Sequence, residues 1–363
     1  MLEIETLLKS YFSNNMMYDY VIVGGGVAGL YLTTKLRNKQ VLLIEEHKNL
    51  GPRRCSGLIS DRINKFFDLP KSIIEKEIYK AQLCCGEASA QINLNSVVLD
   101  KEKFETYLLR QAEKNVEVKS ERVVKVSDDY HGVVVTTSQG VYRTKYVIGC
   151  DGANSLVRKT FLDEDPKKFF FGKFCYSNEK PSDEYKVFFD SKYSDLFAWT
   201  APRRNKVEYG MICEKNLTNN YDTFMRAKNP KDVSEDYFGV IPTGLCKCSF
   251  PKGILVGNSA GMTKPLTGGG VIYSLIAGKI AARELNKDEP DFRNYEKKCV
   301  ETFGKEISRQ LLARRIYSKL SDHRKQKLIS SVKRDRLSID MDFPMADIFK
   351  DKKMRILKSF FGR

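Results

Sequence analysis

Three glycines constrain this chain more than any other feature: Gly24, Gly26 and Gly29, in GxGxxG spacing, sit between an apolar run and a helical one. Tyr18–Val23 reads as a buried strand, Gly24–Gly29 as a tight turn, Leu30–Arg37 as a helix and Val41–Glu45 as a second buried strand. That is a βαβ unit, which calls for a parallel sheet. The first glycine permits the turn. The second lets the backbone approach a pyrophosphate. The third lets helix and strand pack closely, with the helix N-terminus facing the anion. Glu45, at the end of the second strand, is placed to accept hydrogen bonds from adenosine ribose hydroxyls; Glu46 is the alternative and fits the strand end less well. A dinucleotide site is expected here.

Two further segments extend that site. Tyr146–Cys150 reads as a buried strand and runs into Asp151-Gly152-Ala153-Asn154-Ser155, then Val157-Arg158. Ile254–Gly257 reads as a third strand, followed by Asn258-Ser259-Ala260-Gly261 and by Pro265-Leu266-Thr267-Gly268-Gly269-Gly270, which opens a helix over Val271–Leu285. A single NAD site needs neither segment. FAD does, because its ribityl chain and isoalloxazine reach far beyond the first glycine turn. Asn258 suits the ribityl hydroxyls, and the run Gly268, Gly269, Gly270 lets backbone amides approach the ring. The helix N-terminus that follows places partial positive charge near the flavin N1–C2=O edge, which favours the anionic reduced flavin. Asp151, Gly152 and Pro265 complete this set of cofactor-binding candidates. Tyr273, just inside the helix, is a candidate catalytic residue or a packing residue.

The chain has 363 residues, 42% of them hydrophobic, enough for two compact domains. Lys101–Glu113 has helical spacing; Glu117–Val126 and Gly132–Thr137 alternate like a hairpin. Aromatic-rich β-like stretches between Lys80 and Leu99 and between Lys168 and Met211 are expected to share a second sheet. From Pro290 onward the pattern is helical and basic. The expected fold is α/β (α+β): a Rossmann-like FAD-binding domain with a parallel central sheet (17–79, 100–165 and 240–288), an inserted, mainly antiparallel β substrate-binding domain (80–99 and 166–239) and a helical C-terminal region (289–363). Nine scattered cysteines without a CxxC pair argue against a disulfide framework or a zinc site, and three histidines leave little for a metal centre or triad. No metal is expected.

Net charge is +16, and residues 291–363 hold 20 Lys and Arg against 10 Asp and Glu. Such a surface suits anionic partners, or is a solvated helical face. No RNA-binding module is evident, so nucleic acid is not an expected partner. Ile348–Arg363 mixes Ile348, Phe349, Ile356, Leu357, Phe360 and Phe361 with six basic residues. It suits an anionic membrane surface or a helix docked on the core. No apolar run approaches the ~18 residues a membrane span needs, and MLEIETLLKSYFSNN lacks the basic start of a signal peptide. The expected location is the cytoplasm, with peripheral attachment to the inner membrane face as an extension. Residues 1–15 look appended, with Met16 or Met17 as alternative starts.

Taken together, these segments resemble the geranylgeranyl reductase family of flavoproteins, in the wider class that includes p-hydroxybenzoate hydroxylase. The resemblance runs from Tyr18 to Leu285. VGNSAGMTKPLTGGGVIYSLIAGKIAA is similar to the family's VGDAAG–PxTGGG–AGxxAA pattern, and DGANSLVR to its second FAD motif. GPRRCSGLIS is similar to its Cys-containing loop beside the flavin, which implies a place there for Cys55 as a catalytic or cofactor-contacting residue. Phe197-Ala198-Trp199-Thr200-Ala201-Pro202 is similar to its YxWxFP motif, implying substrate contacts by Phe197, Trp199 and Pro202. The sequence departs from the family at Asn258, where Asp is usual, at Lys101, where Arg is usual among cofactor contacts, and at Phe197 and Ala201. The charge lost at Asn258 weakens FAD binding by ~1 kcal/mol, and Lys101 forgoes any bidentate contact. The resemblance implies reduction of isolated C=C bonds in an isoprenoid lipid substrate, such as geranylgeranyl chains of archaeal ether lipids, by hydride from reduced flavin N5. No second GxGxxG marks a dedicated NAD(P)H domain, so ferredoxin, a quinol or NAD(P)H stays open as electron donor. The alternative on the same architecture is a flavin-dependent monooxygenase or halogenase, for which Lys264 offers a charged group near the flavin.

Overall fold

The computed structural model describes residues 17–48, 55–332 and 340–345. In chain order they form β1 (Met17–Val23), α1 (Val27–Thr33), β2 (Val41–Glu45), β3 (Leu58–Ser60), the long hairpin β4 (Ile74–Cys85) and β5 (Ala88–Leu99), and α2 (Lys101–Ala112). Next come β6 (Glu117–Ser120), the meander β7 (Val123–Asp129), β8 (Gly132–Thr137) and β9 (Val141–Gly149), and α3 (Leu156–Phe161). β10 (Lys168–Ser177), β11 (Tyr185–Phe188), β12 (Phe197–Pro202), β13 (Val207–Cys213), α4 (Leu217–Lys228) and β14 (Tyr237–Thr243) follow. The chain then returns through β15 (Ser249–Phe250), β16 (Gly253–Leu255) and α5 (Val271–Leu285), and continues into α6 (Phe292–Cys299), a π-helical turn at Val300–Gly304, α7 (Lys305–Tyr317) and α8 (Asp322–Ser331).

The first sheet has the order β15-β16-β9-β1-β2-β6, with the β7–β8 hairpin attached to β9. The pairs of β1 with β2 and β9, of β9 with β16, and of β2 with β6 are all parallel. A parallel sheet is covered on both faces, which is why Tyr20, Val21, Ile22 and Val23 are buried in succession rather than alternately. α1 and α5 pack together over one face, and Tyr20 Oη donates to the Leu285 carbonyl at 2.7 Å. The register sets the site: Val23 lies opposite Gly149, and Gly149 opposite Leu255. The turns that leave β1, β9 and β16 therefore emerge side by side at the carboxyl end of the sheet.

The second sheet has the order β14-β10-β13-β12-β11-β4-β5-β3. All its neighbours are antiparallel except β11 with β4. Ile78, Ala81, Ile92, Phe170, Phe197 and Ile212 form an apolar cluster on one face. Tyr221 and Phe224 of α4 cover Ala198 and Met211 on the other. α7 ties the two sheets together: Arg314 donates to the Pro265 and Leu266 carbonyls, and Tyr317 Oη to the Leu196 carbonyl at 3.0 Å. The α/β fold with a parallel nucleotide sheet, a mainly antiparallel second sheet and C-terminal helices is the expected one. Among the described residues no helix is long and apolar enough to cross a membrane.

Two expectations are corrected. The first helix spans Val27–Thr33, not Leu30–Arg37: Gly26 already serves as its N-cap, and the Thr33 and Thr34 hydroxyls turn back onto the Leu30 and Tyr31 carbonyls at its end. The run Glu117–Val126 is broken. β6 joins β2, then buried Glu121 accepts from Thr137 Oγ1 and Tyr142 Oη, and only β7 forms the hairpin. Residues 1–16, 49–54 and 346–363, which include the appended start, part of the Cys-containing loop and the amphipathic tail, lie outside the described residues.

A Cβ built on Gly29 would sit 2.1 Å from the Gly24 carbonyl oxygen, a backbone atom that cannot step aside. Gly29→Ala is expected to lower stability by ~1–3 kcal/mol in chemical denaturation. Gly26→Ala, where a Cβ would meet nothing within 4 Å, is expected to stay within ~0.5 kcal/mol of wild type in the flavin-free protein.

Candidate active site

Three glycine turns meet at the end of the parallel sheet. Gly24, at φ +102°, approaches so closely that a Cβ there would lie 2.4 Å from the Cys150 carbonyl oxygen. Arg158 of the second segment is almost fully buried and donates to the Ser259 carbonyl of the third at 2.8 Å. Ser259 Oγ returns a hydrogen bond to the Gly149 carbonyl at 2.7 Å. Gly257 lies against Ala28, and Gly270 against Asn258 Oδ1, so the first turn, the ribityl candidate and the last glycine run are contiguous.

Where the backbone is tight it is tight against protein, and elsewhere it is left open. Gly26 and Gly152, at φ +78°, have no atom within 4 Å of a built Cβ. Neither α1 nor α5 has a side-chain cap or an acidic residue in its first turn, so both N-termini keep amide groups for an anion or a polar ring edge. Glu45 accepts from the Gly25 amide at 2.6 Å and from His47 at 2.6 Å, which fixes the turn. Oε1 also accepts from the His47 amide at 3.1 Å, which leaves Oε2 with a second lone pair for a ribose hydroxyl. Glu46 is more exposed and, among the described residues, engages His47 and Arg122, each at 3.8 Å. Asn258 is half-buried, and among the described residues no protein group hydrogen-bonds its side-chain amide. Asp151 accepts from Ser155 Oγ at 2.6 Å and from the Val157 amide at 3.0 Å, beside the Ser155 N-cap of α3, and each of its oxygens keeps a lone pair. Burial raises its carboxyl above the usual range against these bonds. Gly152 beside it is open, with nothing within 4 Å of a built Cβ.

Cys55 is half-buried, with Sγ accepting from the Gly57 amide at 3.5 Å. Lys101, the first residue of α2, sits close enough to interact electrostatically with it and pairs with Glu105 at 2.9 Å. Burial pulls the Lys101 ammonium down, and Glu105 more than offsets this, holding it above the ordinary lysine value. Pro265 is buried, its carbonyl taken by Arg314. Gly268, at φ +72°, packs on Ile212 and Ile241 of the apolar face, and Gly269 packs on the Lys264 side chain.

Tyr273 does not reach the site. It is fully buried between Phe303 and Phe343, its hydroxyl donated to the Asp342 carbonyl at 2.7 Å, so it is a core residue. Phe197 and Trp199 share the apolar face of β12, their rings 5.9 Å apart. Alternation along the strand puts Pro202 on the opposite face with Ala198, away from them.

Apart from Lys264, several charged groups were not marked by any sequence pattern. Lys264 is buried and pairs with fully buried Asp342 at 2.9 Å; Asp342 also accepts from Ser60 and Arg62. Burial alone would raise the Asp342 carboxyl, but these donors hold it below its ordinary value. Glu208 and Arg203 form a second buried pair at 2.9 Å beneath Trp199. Burial pushes Glu208 up to about 7 against the downward pull of Arg203. Asp342 lies 78 residues from Lys264, whereas Arg203 and Glu208 are near neighbours in sequence whose burial and pairing across the β12–β13 hairpin no motif announces.

A family model described as an FAD binding domain matches residues 17–165. An uncharacterised protein of Methanocaldococcus jannaschii is 29% identical over 350 residues, covering 89% of this chain and 90% of that one. Digeranylgeranylglycerophospholipid reductase 2 of Methanothermobacter thermautotrophicus is 27% identical over 384 residues, covering 94% and 99%. Among solved structures, a geranylgeranyl bacteriochlorophyll reductase-like protein of Thermoplasma acidophilum aligns with a TM-score of 0.81 at 20% identity, covering 95% and 99%. A flavin-dependent brominase aligns with a TM-score of 0.71 at 14% identity, covering 96% and 94%, so the fold itself serves more than one chemistry.

Gly26→Ala places a methyl in the open space where the glycine motif is expected to admit a pyrophosphate. It is expected to weaken FAD binding by at least about tenfold, read by flavin fluorescence titration. Tyr273→Phe is expected to cost ~1 kcal/mol of stability and to leave turnover per bound flavin unchanged; a loss of turnover would return Tyr273 to the reaction.

Proposed function

Because this chain belongs to the geranylgeranyl reductase family of FAD-dependent oxidoreductases, we propose that it saturates isolated C=C bonds in the geranylgeranyl chains of a membrane ether lipid. The observation that supports this reading is the contact of Gly268 with Ile212 and Ile241, which sets the glycine run directly against an apolar wall that also holds Phe170, Phe197 and Trp199. An isoprenoid chain suits such a wall, since it offers only apolar surface and needs no polar partner.

Bound FAD supplies the hydride when reduced. Everything else falls to the chain. An unactivated alkene has no carbonyl to polarise, so positioning and a dry pocket carry most of the rate. The apolar face aligns the prenyl chain and excludes water. Cys55 Sγ, beside the Lys101 ammonium, is the candidate to orient the alkene or to deliver a proton to the carbon that does not receive hydride. Asn258, Glu45, Gly152 and the amides of Gly268–Gly270 hold the cofactor. Electrons arrive from ferredoxin or NAD(P)H, and the lipid is drawn from an anionic membrane surface.

Chemically reduced holoenzyme mixed with geranylgeranyl ether lipid tests the reading by mass spectrometry of the lipid. The expected result is a gain of two hydrogens per reduced bond, slowed about 100-fold by Cys55→Ala. No mass gain with any geranylgeranyl lipid would refute the substrate class, and an unchanged Cys55→Ala rate would remove Cys55 from the chemistry.

A further inference from the structure

Glu208, on β13, has no solvent exposure, and its two oxygens are divided between two partners. Oε1 accepts from Trp199 Nε1 at 2.7 Å, and Oε2 accepts from Arg203 Nη1 at 2.9 Å. Trp199 can lie across β13 because the residue opposite it in the ladder is Gly210; a Cβ there would sit 2.2 Å from the indole ring. Arg203 is 3% exposed and uses its remaining donors on another part of the chain. Nε binds Glu75 at 2.6 Å, Nη1 also binds the Ser56 carbonyl, and Nη2 reaches the Leu99 carbonyl at 3.3 Å. Ser56 follows Cys55, and Leu99 immediately precedes the turn into α2 that carries Lys101. Gly57 locks these two stretches together, with the Leu99 amide donating to its carbonyl at 2.9 Å.

We propose that Glu208 and Arg203 are positioning residues that set the Cys55 loop in register with Trp199 on the apolar wall. A buried carboxylate must keep both oxygens paired, because an uncompensated charge there is costly. Neither Trp199 nor Arg203 can shift without leaving Glu208 short of a donor. The planar guanidinium, fixed by four acceptors, passes that constraint to the Ser56 carbonyl as a rigid fork rather than a flexible tether. The apolar wall at Trp199 and the loop that carries Cys55 are thus fixed to one another across two separate stretches of chain. The inference rests on the reading that Trp199 contacts substrate and Cys55 serves the reaction.

Trp199 is the single tryptophan, so its emission in flavin-free protein reports its surroundings. Peptide-resolved iodoacetamide labelling reads Cys55 apart from the other thiols. Glu208→Gln is expected to shift the emission maximum and to speed Cys55 labelling at least about tenfold. Arg203→Lys keeps the charge but cannot span Glu208, Glu75 and Ser56, and is expected to move both readouts in the same direction. Glu208→Asp is expected to recover part of each. A displacement of about 1 Å costs up to about 100-fold in rate, so lipid reduction per bound flavin falls alongside. Should Glu208→Gln fail to fold, Arg203→Lys decides by the same two readouts. Cys55 labelling within about twofold of wild type in the folded variants overturns the proposal. So does a Trp199 shift confined to Glu208→Gln. Coupled readouts in a protein that reduces no prenyl lipid would keep the coupling and discard the substrate reading; lipid reduction with uncoupled readouts would do the reverse.

Discussion

The structure depends on backbone approaching backbone where side chains would forbid it. Gly24 lies against the Cys150 carbonyl and Gly29 against the Gly24 carbonyl, at distances that exclude any Cβ. With β9, β1 and β2 in parallel register and β16 beside β9, the turns at Gly24, Asp151 and Gly257 have no choice but to emerge together. Ligands of open parallel sheets bind at the carboxyl ends of the strands, and here three such ends provide a long continuous bed.

The chemistry beyond the cofactor is set by what the bed abuts. Its last turn, Gly268–Gly270, touches an apolar sheet face on one side and a buried ion pair, Lys264 with Asp342, on the other. Asp342 gathers donors from Ser60, Arg62 and Lys264, so the described segment 340–345 is fastened to both the second sheet and the glycine loop. An ion pair so enclosed adds little net stability, because desolvation cancels much of its attraction. Its value lies in holding three segments in one arrangement.

Strong local signals were legible in the sequence, and long-range ones were not. Val41–Glu45 and Val271–Leu285 form with the expected bounds because apolar runs between turn residues have one sensible reading. The glycine motif located the nucleotide turn but hid the start of α1, since Gly26 doubles as its cap. Tyr273 was ambiguous because helical position alone cannot say whether a tyrosine faces a ligand or the core. Its burial is settled by Phe303 and Phe343, far along the chain. Pro202 belongs to the same motif as Trp199, yet strand alternation separates their faces. Lys264 was marked by its place before Pro265, but its partner Asp342 and the pair Glu208–Arg203 were not, for a simpler reason: a single charged residue reads as surface until its partner and its burial are known.

Hydrogen exchange of the amides with and without added FAD tests the convergence of the three turns most directly. The account predicts that FAD slows exchange together in the stretches 24–30, 150–157 and 257–270, with little change in the α4 region on the far face of the second sheet. Protection confined to the first stretch would describe a simple dinucleotide site, and protection in none of the three would contradict the account outright.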